Sequence, residues 1–370
     1  MRCQDTGPRD ADIMLIGEAP GEEEERQGKP FVGAAGRMLR QMLSHVGIDY
    51  NQCYVTNVMD TRPPGNKFKY FYNGKEPSAQ LQRAWLNLQC KVEAVHPKVV
   101  ITLGAEPLRA LCNKHGISNW RGTWLSFRNI NVMPTYHPSY VLRQYNAHPI
   151  VELDLQKAAN EQPVSNPPMI TGPSLQDVLS WIEHTCSSCE QVAFDIETVG
   201  RHIRCIGLAN GESAICIPFI KFASSEMATP SIGSTIVRIG HSSPSTSAGS
   251  YWSTSDEIIV LDALNKLFQS GIKVVGHNSI AFDAPLIKEE FGLSIKNHYL
   301  DTMHAWHVLY PEFPMSLSFL CSVLTNYRNY WTQVDHSDDK QEWTYNAMDC
   351  IVTIDASYRI EEELKEAKLL

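Results

Sequence analysis

The chain has no apolar run of 18 or more residues, which excludes a conventional membrane-spanning helix. Its opening residues, MRCQDTGPRDAD, lack the apolar stretch of a signal peptide, so an intracellular protein off the membrane is expected. Ten cysteines occur, but without the spacing of a disulfide framework, and they read as reduced thiols. No internal repeat is visible. Basic residues are scarce in one half: residues 166–370 hold 13 Lys and Arg against 25 Asp and Glu, a net of −12. Residues 1–165 hold 19 against 16, a net of +3. An acidic domain repels phosphate, so the second half suits a nucleic-acid enzyme only if bound metal ions cover part of its charge.

What is present fits two ordinary globular domains: 370 residues, 43% hydrophobic and 20% charged. In the first, residues 12–17 (DIMLIG), 53–58, 98–103 and 131–134 read as strands. Helical patterns at 35–46, 78–95 and 107–112 alternate with them. That alternation predicts a three-layer αβα domain on a parallel sheet over residues 1–161. Residues 162–173 (QPVSNPPMITGP) contain four prolines and read as a linker. The second domain, 174–370, opens with a helix at 174–184. Strands follow at 191–194, 205–209, 214–220 and 272–276, with helices at 255–268 and from Trp343 onward. The Ser-, Thr- and Gly-rich stretch near 223–255 is expected to be a mobile surface insertion.

The strand QVAFDIET (191–198) delivers Asp195 and Glu197 two residues apart, hence on one face. Two like charges side by side either sit solvated at a strand edge or share a cation. Two more acidic clusters follow in order, GHNSIAFDAPLI with Asp283 and YNAMDCIVT with Tyr345 and Asp349. A spacing of four puts that phenol and carboxylate one helical turn apart. Four convergent carboxylates can hold two divalent ions, and the Tyr can orient an attacking water.

DIET, HNSIAFD and YNAMD resemble the three motifs of the proofreading 3′–5′ exonucleases, the subtype with four acids and a Tyr. LDTMHAWHVLYP and SLSFLCSVLT are similar to the same domain of phage and bacterial family A DNA polymerases. The resemblance covers about 169–370 and implies an RNase H-like mixed sheet with two Mg2+ or Mn2+ ions. It would make Asp195, Glu197, Asp283 and Asp349 the metal ligands and Tyr345 the residue orienting water. Asn278 and Phe282 would lie near the terminal nucleotide.

In the first domain, GEAPG places a Gly-rich turn at Gly17 directly after a strand, a weak signal by itself. PFVG at 30–33, TNV at 56–58 and HPS at 137–139 add a ring, an amide and an imidazole. Such groups can hold an extruded pyrimidine. Residues 10–160 resemble the uracil-DNA glycosylase superfamily, specifically family 4, through GEAPGEEEERQGKPFVGAAGRML, YVTNV, RPPGN, PKVVITLG and VMPTYHPSY. The resemblance implies that Phe31 stacks on uracil and Asn57 bonds its edge. His137, followed by Ser139, would stabilise the developing uracil anion, and Glu18 and Glu24 would position water or support the cationic sugar. That family carries an iron–sulfur cluster on four cysteines. Here Thr61 stands at one ligand position, only Cys90 matches, and Cys3 lies too close to GEAPG, so no cluster is expected. Cys186 and Cys189 lack a partner pair and read as ordinary thiols.

Arg62, Lys67 and Lys69 beside Phe68, Tyr70 and Phe71 form a loop that suits single-stranded DNA or is merely exposed. The expected protein processes DNA, acting as a metal-dependent exonuclease with a uracil-recognising front domain. It would be the front part, or the editing subunit, of a phage-type family A polymerase. Two alternatives stand: a silent glycosylase-like domain that only binds or tethers DNA, and an exonuclease that trims RNA.

Overall fold

The computed structural model describes residues 2–222, 248–332 and 334–370. It forms two units, Met1–Val164 with Asn326–Asn329, and Ser165–Thr325 with Tyr330–Leu370.

The first unit begins with β1 (Ile13–Gly17), α1 (Glu22–Gln27), α2 (Ala34–His45) and β2 (Tyr54–Asn57). A small ribbon, β3 (Tyr72–Asn73) and β4 (Glu76–Pro77), precedes α3 (Ala79–Val95), β5 (Val99–Leu103) and α4 (Ala105–Cys112). β6 (Leu125–Phe127), β7 (Ile130–Thr135), α5 (Pro138–Val141) and α6 (His148–Asn160) complete it. The sheet order is β2-β1-β5-β7-β6, parallel except for the final β6–β7 hairpin. Alternation along the strands builds the layers. Leu15, Val55, Ile101 and Met133 face Leu39, Met42 and Leu43 of α2 and Val151 and Leu155 of α6. Met14, Ile16, Val100 and Val132 face Leu81, Leu88 and Val92 of α3 and Leu111 of α4. The expected αβα arrangement is therefore present, with β6 added. Its hairpin turns on Arg128 and Asn129, both at positive φ (46° and 68°), without the glycine that advertises such turns.

The second unit starts with β8 (Met169–Thr171), inside the Pro-rich stretch read as linker. β8 lies parallel to β11 at the sheet edge, where flanking prolines cost no interior ladder bond. Next come α7 (Leu175–Ser188), β9 (Gln191–Val199), β10 (His202–Ala209) and β11 (Ala214–Pro218). β12 (Ile220–Phe222) pairs antiparallel with β13 (Ala248–Ser250). α8 (Thr254–Gln269), β14 (Lys273–Gly276), α9 (Asp283–Phe291) and β15 (His298–Asp301) follow. Then come α10 (Thr302–Leu309), α11 (Leu317–Leu324) and α12 (Asp339–Glu366). Of the expected insertion, 223–247 lies outside the described residues, and 248–255 supplies β13 and the start of α8.

The sheet runs β15-β14-β9-β10-β11-β8 and is mixed: β10 is antiparallel to both β9 and β11, the other pairs parallel. Phe194, Ile196, Ile206 and Leu208 bury one face against Trp181 of α7 and Leu264, Leu267 and Phe268 of α8. α12 covers the other face, its contact turns built from buried Asn346, Ala347, Cys350 and Ile354. Gly207 on β10 makes that approach possible, because a side chain there would meet Asn346 Oδ1 at 2.5 Å and Cys350 Sγ at 2.7 Å.

Candidate functional site

With Phe194 and Ile196 committed to the α7–α8 core, the two-residue period of β9 turns Asp195 and Glu197 towards α12. There Asp349 meets them: one ligand oxygen from each of the three lies within 4.8 Å of the others. Asp283, the first residue of α9, is buried and directs Oδ1 to the Ile196 backbone amide at 3.0 Å, so it stands outside that trio. Its charge still reaches Asp195 and Glu197. Burial first, then Asp349, Asp283 and Glu197, push the Asp195 carboxyl well above its ordinary range. Glu197 is pushed up to about 8 by burial, then by Glu342, Asp349 and Asp283, with Arg204 opposing. Asp349 rises to about 7 and Asp283 to about 6, both chiefly through burial.

Further side chains hold this cluster. Tyr330 donates to Asp349 Oδ1 at 2.5 Å, and Tyr345 also bonds Asp349, so two phenols serve one carboxylate. Asn346 Nδ2 donates to Asp195 Oδ2 at 2.9 Å. Buried Arg204 binds Glu342 at 3.1 Å and Asp339 at 2.8 Å, which fixes the first turns of α12. The HNSIAFD loop hangs on Asp301: its carboxylate accepts from the amides of Asn278 (2.9 Å), Ile280 (3.1 Å), Met303 (3.1 Å) and His304 (3.4 Å). Asn278 takes a left-handed φ of 59°, and Phe282 stands 51% exposed at the start of α9. An open groove of about 470 Å³, lined by Tyr330, Tyr345, Lys340, Thr344 and Met348, runs beside the acids.

In the first unit, Gly17 ends β1 and is boxed in: a methyl group there would collide with Asn57 Oδ1 and with the Phe31 ring, at 2.5 Å from Cζ. Phe31 is buried, sits at a φ of 53° and faces His137 with ring centroids 6.0 Å apart. The Ser139 amide donates to His137 Nδ1 at 3.1 Å, and a backbone N–H can only donate. Nδ1 is therefore the acceptor, and neutral His137 carries its proton on Nε2. Burial, with Arg143 nearby, lowers the His137 pKa to about 4, which keeps the ring neutral at physiological pH. The carboxyl of Glu18 is raised to about 7 by burial and then by Glu106, with Arg143 opposing. Glu24 is turned elsewhere: its two oxygens accept from the amides of Gly33 (2.7 Å) and Gly21 (3.1 Å), bracing the loop that carries Phe31. Below His137, the end of β7 is held by Thr135 donating to buried Asp154 at 2.7 Å, and Arg121 Nε donates to the same oxygen at 3.0 Å.

The basic–aromatic loop divides in two. Phe68 and Phe71 pack edge-on in the core, Tyr70 stands 59% exposed, and Arg62 pairs with Glu22 and Glu25. Trp120 and Trp124 are buried. No helix among the described residues is long and apolar enough to cross a membrane.

The first unit thus gathers an aromatic ring, an amide and an imidazole on a three-layer α/β scaffold, and the second gathers three carboxylates on a mixed sheet. The chain belongs to two families: the uracil DNA glycosylase superfamily, matched over residues 4–161, and the 3′–5′ exonucleases, matched over residues 174–365. A type-4 uracil-DNA glycosylase of Sulfurisphaera tokodaii is 36% identical over 157 residues, 40% of this chain and 68% of that protein. A DNA polymerase of Bacillus phage SP01 is 27% identical over 139 residues, 37% of this chain but only 14% of the polymerase. Among solved structures, Brucella melitensis NrnC with bound Mg2+ matches over 50% of this chain and 79% of its own, at 16% identity and a TM-score of 0.35. The protein is a DNA-processing enzyme of repair or replication, with a 3′–5′ exonuclease domain behind a glycosylase-like one.

Proposed function

We propose that the second unit trims DNA from its 3′ end with two divalent ions, Mg2+ or Mn2+, held by Asp195, Glu197 and Asp349 with Asp283 beside them. The observation that carries this reading is the trio of carboxylates within 4.8 Å: burial opposes the ionisation of all three, and Asp349 further opposes that of Asp195 and Glu197. Hard divalent cations with oxygen ligands remove that conflict, so the residues fit the metal. When bound, such ions stabilise the attacking and leaving oxygens of the displacement. Tyr345, a phenol throughout the physiological range because burial raises its pKa, orients water against Asp349. Asn278 and exposed Phe282 receive the terminal nucleotide. A polymerase domain or partner subunit supplies the frayed end, a reading supported by the partial likeness to the phage polymerase.

For the first unit we infer uracil excision. Phe31 stacks on the base, Asn57 reads its edge beside Gly17, and the Nε2–H of neutral His137, oriented by Ser139, stabilises the departing uracil anion. Glu18 assists as a carboxylate, and Glu24 braces the loop. No iron–sulfur cluster takes part. This reading rests on the sequence, where Thr61 stands at one ligand position and only Cys90 matches. A second reading, binding without cleavage, is favoured only by those missing ligands.

A 5′-labelled, uracil-free single strand with Mg2+ tests the exonuclease. The wild type should give a ladder, and Asp195→Ala should slow it at least about 100-fold, the upper end of what losing an outer partner of a metal ligand costs. An unchanged ladder would refute the assignment. An RNA strand of the same sequence separates DNA trimming from RNA trimming.

A further inference from the structure

We propose that His45, His148 and Glu152 form a Zn2+ site in the first unit, clamping the end of α2 to the start of α6. Neither the exonuclease acids nor the uracil constellation includes these residues. His45 is the last residue of α2; His148 and Glu152 stand one turn apart at the beginning of α6. One possible ligand atom from each lies within 4.8 Å of the other two.

The Glu152 carboxylate offers one oxygen to each ring. His45 Nδ1 lies 2.6 Å from Oε1, and His148 Nδ1 lies 3.6 Å from Oε2. Two ligands of a tetrahedral zinc ion, each 2.0–2.1 Å from the metal, stand about 3.3 Å apart. The His148 spacing is close to that edge and too long for a hydrogen bond. A plain ion pair accounts for His45 and leaves His148 unexplained. That imidazole is 8% exposed, its Nε2 is enclosed without a partner, and it makes no hydrogen bond. Coordination through Nδ1 would give that nitrogen a partner in place of its long contact to Glu152, with the ring proton on Nε2.

Two imidazoles and one carboxylate match zinc's ligand preference, whereas Mg2+ and Ca2+ favour oxygen alone. The carbonyl end of α2 adds a favourable field for a cation. The His45 side chain is 51% exposed, leaving an entry path and room for water as the fourth ligand. Beneath the site, Met42 and Leu43 of α2 pack in one core with Ala147, Val151 and Leu155, so both helices hold the ligands on a rigid base. The clamp joins the segments that follow Phe31 and His137.

The test uses the full chain with Asp195→Ala and Asp349→Ala, which removes the exonuclease acids as competing ligands. Zn2+ is titrated against a chromophoric chelator. One equivalent should bind and raise the melting temperature, and excess Mg2+ should not displace it. Adding His45→Ala or, separately, Glu152→Gln should weaken binding at least about 10-fold, since even outer partners of a zinc ligand are worth that much, and abolish the thermal shift. His45 is half-exposed and Glu152→Gln keeps the side chain's shape, so misfolding of one variant leaves the other decisive. Absence of Zn2+ binding, or binding that both substitutions leave unchanged, would overturn the site.

Discussion

At the residue scale, the acids of the second unit store an electrostatic conflict with a measurable sign. Folded-state pKa values of about 8 for Glu197, about 7 for Asp349 and about 6 for Asp283 all exceed ordinary carboxylate values. In the ion-free protein the folded state therefore holds more protons than the unfolded chain between those limits. Stability then falls as pH rises from about 5 to about 8. In EDTA, Glu197→Gln should raise the melting temperature at pH 8 by roughly 2–4 °C, about 1 kcal/mol for a domain of this size, and should do so less at pH 5. Thermal unfolding across that range checks it; a destabilised variant at pH 8 would contradict it. In the first unit, excision should increase as pH rises through about 7, where Glu18 ionises, without an inflection from His137, which is already neutral. Rates of uracil release against pH, repeated with Glu18→Gln, measure this. Ordered motifs pointed to Asp195, Glu197 and Asp349, which the fold brings together, whereas no motif pointed to Tyr330, Arg204 or Glu106. A Tyr in an irregular segment 19 residues before its Asp has no period or spacing to announce it.

At the element scale, the site depends on α12 lying tight against β10 and β9. Gly207 permits that contact, so Gly207→Ala should force Asn346 and Cys350 aside. The expected cost is about 1–3 kcal/mol, the usual range for overpacking. Because Asn346 holds Asp195, exonuclease activity should fall with it. Denaturant unfolding together with the ladder assay would show both effects, and normal stability with normal activity would remove α12 packing from the account. The long elements were readable because burial imposes a period: β1 alternates between two cores, and α3 and α8 fall within a residue or two of their expected bounds. β8 and the β6–β7 hairpin were not. Prolines beside β8 and the turn on Arg128–Asn129 are local signals that tertiary pairing overrides.

At the scale of the whole molecule, the chain joins two families whose proposed chemistries share no requirement. The second unit's net negative charge is a liability near phosphate until cations cover its centre. The excision proposed for the first unit uses a neutral imidazole, an aromatic face and a placed carboxylate, none of which calls for Mg2+. Which family each half belongs to was legible from ordered motifs. How Glu24 is used was not, because its motif position says nothing of the amides at Gly21 and Gly33 that its carboxylate faces.

The most direct measurement is one 5′-labelled single strand carrying a single internal uracil, incubated with Mg2+ or with EDTA. With Mg2+ a ladder from the 3′ end should appear, and Asp195→Ala should abolish the ladder alone. In EDTA the ladder should vanish while an alkali-labile break persists at the uracil, and His137→Ala should remove that break. A ladder that survives EDTA, or a uracil break indifferent to His137→Ala, would contradict the account.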